Sequence, residues 1–152
     1  MRIYLNCCCY NRPFDGISSN NVADEVNAIL SIINNAKSKG DAILDSTILR
    51  SEINAIKNTM KKGRVQLLLS QTVTDYISYS PSIKELAEKF RNHSATIHYK
   101  DSLHLASASI GNADIFITTD YRLIRSCKKL KLTFEVMNPL EYVNEVFNND
   151  AV

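Results

Sequence analysis

Four polar side chains that could bind a metal ion lie beside apolar runs or in helices of the sequence. Asn6 follows the apolar run 3–5, and Asp120 follows the run 115–118. Glu52 lies about one turn into a predicted helix, and Asp101 opens another. Carboxylate and amide oxygens are hard ligands that suit Mg²⁺ or Mn²⁺, and such an ion activates water and stabilises the charge on a phosphate. The residue types therefore indicate a divalent-metal site, provided that the fold brings them together.

Each of these residues also has a simpler explanation. An aspartate before or within the first turn of a helix is often only a cap, which applies to both Asp101 and Asp120. A glutamate on a helix, such as Glu52, is usually just solvated. Spacing alone does not make these residues a site, and the decision depends on the elements that carry them.

Short strands and helices alternate along the chain. Strands are predicted at 3–5, 42–44, 75–79, 114–118 and 133–136. Helices are predicted at 22–39, 48–56, 60–69, 81–90, 100–110, 120–127 and 139–146. This alternation favours a parallel sheet with helices on both faces, and in such sheets ligands bind beyond the carboxyl ends of the strands. Asn6 and Asp120 lie at such ends.

Length and composition fit one globular domain. The chain has 152 residues, of which 45% are hydrophobic and 22% charged. We expect residues 1–147 to form a single domain and 148–152 to be a flexible tail. The sequence has no run of about 18 apolar residues and no signal peptide, which predicts a cytoplasmic protein without a membrane span. The net charge of +2 neither indicates nor excludes nucleic-acid binding.

Other reactive residues carry weaker signals. The consecutive Cys7, Cys8 and Cys9 lack the spacing of a zinc site and are predicted to be reduced thiols near a strand end. Asp15 precedes a glycine, which is typical of a turn. His104 lies one helical turn after Asp101, and we interpret it as a polar residue that packs near the site.

Several stretches of the chain resemble PIN domains of the VapC-like toxin ribonuclease family. They are residues 3–15, 51–52, 99–106, 113–120 and 136–142, so the resemblance covers nearly the whole chain. The stretches around Asp101 and Asp120 are its most specific parts, and that around Glu52 is the weakest.

The resemblance implies an α/β/α sandwich with a central, mainly parallel sheet. It implies an endoribonuclease that cleaves RNA with Mg²⁺ or Mn²⁺, often the toxin of a toxin–antitoxin pair, with an antitoxin protein as partner and a tendency to form homodimers. By this resemblance Glu52, Asp101 and Asp120 would be metal ligands or would orient the metal's waters. The hydroxyl of Thr118 would hold the site in place.

The chain departs from the family pattern at Asn6, where the first acidic residue is expected. An amide oxygen can coordinate a metal but brings no negative charge, so the affinity for Mg²⁺ should fall and a group that activates water is lost. Two explanations fit: a substitution that silences a toxic nuclease, or a natural asparagine in a weak or repurposed protein. The alternative function is therefore a catalytically inactive module that binds RNA or protein.

Overall fold

The computed structural model of the protein describes residues 1–16 and 20–147, and the tail predicted at 148–152 lies outside them. Within the described residues, five strands form one sheet in which every neighbouring pair is parallel. The strands are β1 (Arg2–Leu5), β2 (Ala42–Ser46), β3 (Asp75–Ile77), β4 (Ile115–Ile117) and β5 (Glu135–Met137). Their order across the sheet is β3-β2-β1-β4-β5.

Helices connect these strands. They are α1 (Cys7–Asn11), α2 (Asn20–Lys39), α3 (Thr47–Asn54), α4 (Thr59–Thr72), α5 (Pro81–His93), α6 (Tyr99–Ile110), α7 (Tyr121–Cys127) and α8 (Pro139–Tyr142). A 3-10 turn at Arg12–Phe14 follows α1, and a π-helical turn at Val143–Phe147 continues α8. In the described part of the chain, none of the helices combines the length and apolar character that crossing a membrane requires.

Both faces of the sheet are buried under helices. On β1, Ile3 and Leu5 pack into one apolar cluster with residues of α2, α3 and α4. Tyr4, which points to the opposite face, packs into a second cluster with residues of α5, α6 and α7. Burying a large apolar side chain contributes about 1.5–3 kcal/mol. The architecture is therefore the helix–sheet–helix sandwich predicted for the chain.

The order of the strands places a topological switch point between β1 and β4. The chain builds outward from β1 through β2 to β3, then crosses to the other side of β1 and adds β4 and β5. The connections that leave β1 and β4 therefore diverge, and a crevice forms beyond the carboxyl ends of these two strands. Asn6 follows β1, and Thr118 follows β4.

Most of the predicted elements are present, with shifted ends. The last strand was predicted at 133–136 but forms at 135–137, where Val136 pairs with Phe116 of β4. No helix was predicted between the strand at 3–5 and the helix at 22–39, but residues 7–14 fold as α1 and a 3-10 turn. The side chain of Asn6 caps α1 by accepting a hydrogen bond from the backbone N–H of Cys7, which fixes the start of this short helix.

A glycine allows α6 to pack closely against β3. A Cβ atom at Gly111, directly after α6, would overlap the side chain of Ile77 and crowd the backbone oxygen of Ser107. The predicted end of this helix at Gly111 is confirmed, and any larger residue there would force the Ile77 side chain to move.

Candidate active site

A cleft of about 430 Å³ opens beyond the carboxyl ends of β1 and β4. The four candidate residues named from the sequence all line it: Asn6, Glu52, Asp101 and Asp120. They come from the end of β1, from α3, from the first turn of α6 and from the start of α7. A larger depression, of about 610 Å³, lies along β5 but contains none of the four.

Asn6 is held on both sides of its amide group. Its Oδ1 accepts a hydrogen bond from the backbone N–H of Cys7 (2.9 Å), and its Nδ2 donates to the hydroxyl of Thr118 (3.1 Å). Because the Cys7 N–H needs an acceptor, the orientation of the amide is fixed. The residue is 5% exposed, so this arrangement is rigid as well as specific.

Thr118 links the two strands at the floor of the cleft. Its fully buried hydroxyl oxygen accepts from Asn6 and also from the backbone N–H of Asp120 (3.1 Å). A hydroxyl can donate as well as accept, so Thr118 is able to bond a carboxylate at position 6 by turning its proton towards it. The contact fits the role that the resemblance implied for Thr118.

Asp120 caps a helix and faces the cleft at the same time. Its Oδ1 accepts from the backbone N–H groups of Arg122 and Leu123 at the start of α7. One carboxylate oxygen of Asp120 therefore acts as the helix cap that was the simpler explanation for this residue. Within the described residues, Oδ2 forms no hydrogen bond or salt bridge, and it is available to a ligand in the cleft.

Asp101 lies in an electrostatically unfavourable place. Burial raises the pKa of its carboxyl. His104 and His98 act to lower that pKa, the negative charges of Asp120 and Glu52 act to raise it, and the balance is a raised pKa. No salt bridge to Asp101 or Asp120 is found among residues 1–16 and 20–147. A cation in the cleft would relieve this repulsion.

Glu52 is balanced differently. Burial acts to raise the pKa of its carboxyl. The hydrogen bond and charge interaction with His104, the hydrogen bond from Cys7 and the positive charge of Lys100 together hold that pKa below its ordinary value. Glu52 is thus kept ionised, whereas Asp101 is pushed towards the neutral form. Two carboxyl groups in one cleft therefore have pKa values that are shifted in opposite directions.

The donors fit a metal that keeps its water. In the described part of the chain, no three His, Cys, Asp or Glu side chains already stand in an arrangement that holds an ion. Mg²⁺ does not require such a cage, because it is usually held by one or two carboxylates and several waters. Asp101 and Asp120, which repel each other and form no salt bridge within the described residues, meet that requirement.

Sequence reasoning overlooked several residues of the cleft. Lys100 lines it and places a positive charge beside the acids, although only its position next to Asp101 could have indicated this. Cys7 and Cys8 line it too, and hydrogen bonding outweighs burial to lower the pKa of Cys8 to about 6. Asp15 lies elsewhere and pairs with Lys61 (2.7 Å) and Arg12 (3.8 Å).

Comparisons with known proteins place this fold. No protein-family model matches the chain, and no curated protein matches it in sequence. Solved structures do match in fold. A chain of VapBC2 from Rickettsia felis, solved with a DNA fragment from its promoter, superposes with a TM-score of 0.63 at 15% identity, over 91% of this chain and 98% of that one.

Two further solved structures match this chain in fold. FitAcB from Neisseria gonorrhoeae matches with a TM-score of 0.59 at 14% identity, over 91% of this chain and 98% of its own. A toxin–antitoxin complex from Klebsiella pneumoniae matches with a TM-score of 0.57 at 17% identity, over 88% and 98% of the two chains. At these identities the likeness shows the fold, and it confirms the PIN-like architecture that the sequence predicted.

Proposed function

We propose that this chain is a metal-dependent endoribonuclease of the PIN type, and the toxin of a toxin–antitoxin pair. The observation that carries the proposal is the convergence of Asn6, Glu52, Asp101 and Asp120 on one cleft at the switch point of the sheet. The fold shared with toxin–antitoxin complexes supports it. RNA would be the substrate, and a small antitoxin protein would be the natural inhibitor.

The roles of the residues follow from their surroundings. Asp101 and Asp120 would hold Mg²⁺ or Mn²⁺, which supplies an activated water and neutralises charge on the phosphate. Lys100, at the mouth of the cleft, would contact a phosphate oxygen of the RNA backbone. Glu52, ionised and hydrogen-bonded, would orient water in the cleft. Asn6 would offer only a neutral oxygen.

Asn6 sets the expected level of activity. A carboxylate that acts as a base typically contributes about 10²–10⁴-fold to a rate. The variant Asn6→Asp should therefore cleave RNA about 10²-fold faster or more, with Mn²⁺ or Mg²⁺ present. Thr118 is placed to accommodate the new carboxylate, because its hydroxyl can donate to it.

The experiment compares RNA cleavage by the unaltered chain, by Asn6→Asp, and by Asn6→Asp combined with Asp101→Asn. Cleavage should rise in the first variant and be lost in the second. Asp75→Asn, which changes a surface carboxylate outside the cleft, serves as the matched control. If Asn6→Asp stays inert on varied RNAs with both metals, the nuclease proposal is wrong.

A second candidate function rests on Asn6 alone. Both polar atoms of its amide are already bonded within the protein, which suits a rigid binding site as well as it suits a weakened catalytic one. Such a module would retain RNA or a partner protein without cutting it. Calorimetric titration with Mg²⁺ separates the two functions, because a pure binding module requires no affinity for the ion.

A further inference from the structure

His104 is a fully buried histidine that touches the cleft only through another residue. It lies on α6, its exposure is 0%, and it does not line the cleft itself. Its Nε2 lies 3.2 Å from Oε2 of Glu52, and its Nδ1 lies 2.6 Å from the hydroxyl of Tyr4. The ring is also held edge-on against the ring of Tyr4 (5.8 Å between centroids).

The contacts continue behind His104 into the core. The Tyr4 hydroxyl lies 2.7 Å from the hydroxyl of Ser46, which accepts a hydrogen bond from the backbone N–H of Leu49 (3.0 Å) at the start of α3. Tyr4 is itself fixed by stacking on Phe116 (5.2 Å between centroids). The chain of hydrogen bonds therefore begins and ends on α3, the helix that carries Glu52.

Donor and acceptor accounting favours a proton on Nε2 of His104. Each hydroxyl has one proton to donate, and a neutral imidazole has one donor and one acceptor. If Ser46 donates to Tyr4 and Tyr4 donates to Nδ1 of His104, the remaining proton of His104 is on Nε2 and points at Glu52. Every polar atom of these hydrogen-bonded side chains, Ser46, Tyr4 and His104, then has a partner. With the proton on Nδ1 instead, Nε2 would place a lone pair against the carboxylate.

We propose that His104 is the positioning residue for Glu52: its ring is fixed by Tyr4 and Ser46, and its Nε2–H donates to the Glu52 carboxylate and holds it in the cleft. This inference rests on the proposed function, since it gives a role to a residue of that site. A hydrogen bond to a carboxylate from a buried, immobile donor restricts the rotamers of a side chain that is otherwise partly exposed. Glu52 would then keep one orientation without help from a ligand.

A purely structural role for His104 makes a different prediction. In that case its loss would lower stability and leave the chemistry of the folded protein unchanged. If it positions Glu52, the folded variant should lose metal affinity or turnover, because removing a partner that orients a metal-site residue typically costs about 10–100-fold.

The test uses Asn6→Asp as the active background and compares two changes at the same site. His104→Leu removes both hydrogen bonds, whereas His104→Gln keeps an acceptor and a donor on either side of one carbon, as imidazole does. We expect the leucine variant to lower kcat or raise the Mn²⁺ concentration for half-maximal rate by about 10–100-fold, with KM for RNA unchanged. The glutamine variant should recover much of this loss.

Tyr4→Phe extends the test to a residue far from the substrate. Tyr4 is fully buried, so its hydroxyl cannot touch RNA, yet its loss frees His104 to place its proton on Nδ1. A smaller loss of kcat in the same direction is expected. This variant removes one oxygen and keeps the aromatic packing, so it remains informative if His104→Leu does not fold.

Long-range ¹H–¹⁵N NMR of the unaltered protein tests the tautomer without any cleavage assay. The Nε2–H form of His104 is expected, with a change of its Nε2 proton resonance in Glu52→Gln. A ring that carries its proton on Nδ1 alone would overturn the inference. So would kcat and metal dependence that match the background in a folded His104→Leu.

The inference and the proposed function fail in distinguishable ways. If Asn6→Asp cleaves RNA and His104→Leu has no effect, only the inference falls. If Asn6→Asp does not cleave, the nuclease proposal falls, and the affinity for Mn²⁺ measured by calorimetry then decides whether His104 still positions Glu52. An unchanged affinity in His104→Leu, or no affinity in any variant, rejects the positioning role.

Discussion

Asp45 is fully buried and Asp101 is partly buried, yet the charges around them are opposite. Asp45, at the end of β2, has an exposure of 0% and accepts hydrogen bonds from Arg50 Nε (2.6 Å) and from the backbone N–H of Ser46 (2.8 Å). Asp101, at the start of α6, has other carboxylates as neighbours, and in the described part of the chain no basic side chain forms a salt bridge with it.

Other acidic side chains outside the cleft resemble Asp45 in being paired. They include Asp15 with Lys61, Asp75 with Arg2, and Asp41 with the amino terminus. A buried charge is normally tolerated only when it is paired. Asp101 and Asp120 form no salt bridge within the described residues, and the cation proposed for the cleft would supply the missing positive charge.

The largest expected effect is stabilisation by a metal ion. At Mn²⁺ about 100-fold above its dissociation constant, binding to the folded state alone adds about 2.7 kcal/mol to the free energy of unfolding. Urea denaturation with Mn²⁺ and with EDTA measures this increment. Asp45→Asn should keep the increment and Asp101→Asn should lose most of it. Equal increments in the two variants would place the ion outside the cleft.

The next effect concerns the paired acid. Asp45→Asn keeps the shape and the bond to Ser46 but removes the charge that Arg50 meets, so we expect it to lower the free energy of unfolding by about 2 kcal/mol. Arg50 is about half exposed and can be hydrated again, which limits the loss. The measurement is urea denaturation in EDTA. A neutral or stabilising result would contradict the claim that the ion pair between Asp45 and Arg50 stabilises the fold.

The smallest effect has the opposite sign. The pKa of Asp101 is raised in the folded protein, so the folded state binds this proton more tightly than the unfolded state does. Ionisation of Asp101 therefore costs stability as the pH rises through the raised pKa, and costs nothing below the ordinary value of about 3.9. In EDTA, Asp101→Asn should be slightly more stable than the unaltered chain near pH 7, and equal to it at about pH 3. A loss of stability near pH 7 would show that Asp101 has a partner.

The sequence predicted those parts of the fold in which local pattern and tertiary packing agree. The apolar runs 3–5 and 115–118 became β1 and β4 because strands buried on both faces must be apolar throughout. The start of one helix was also predicted correctly, since the helix expected from residue 81 begins at Pro81 as α5. The helix after β1 was missed because Cys7–Asn11 has no apolar period and depends on the cap from Asn6.

For the site, the sequence determined the chemistry and the tertiary structure decided the arrangement. The residue types at Asn6, Glu52, Asp101 and Asp120 predicted hard oxygen donors, and resemblance named them as one site. Only the order of the strands, with β1 beside β4, brings residues more than a hundred positions apart to one edge. The sequence likewise could not predict which acidic side chains are paired with a positive charge, because the strength of an electrostatic interaction depends on distance in space. His104 shows this most clearly. In the sequence it is a polar residue one turn from Asp101, and in the fold its Nε2 contacts the carboxylate of Glu52.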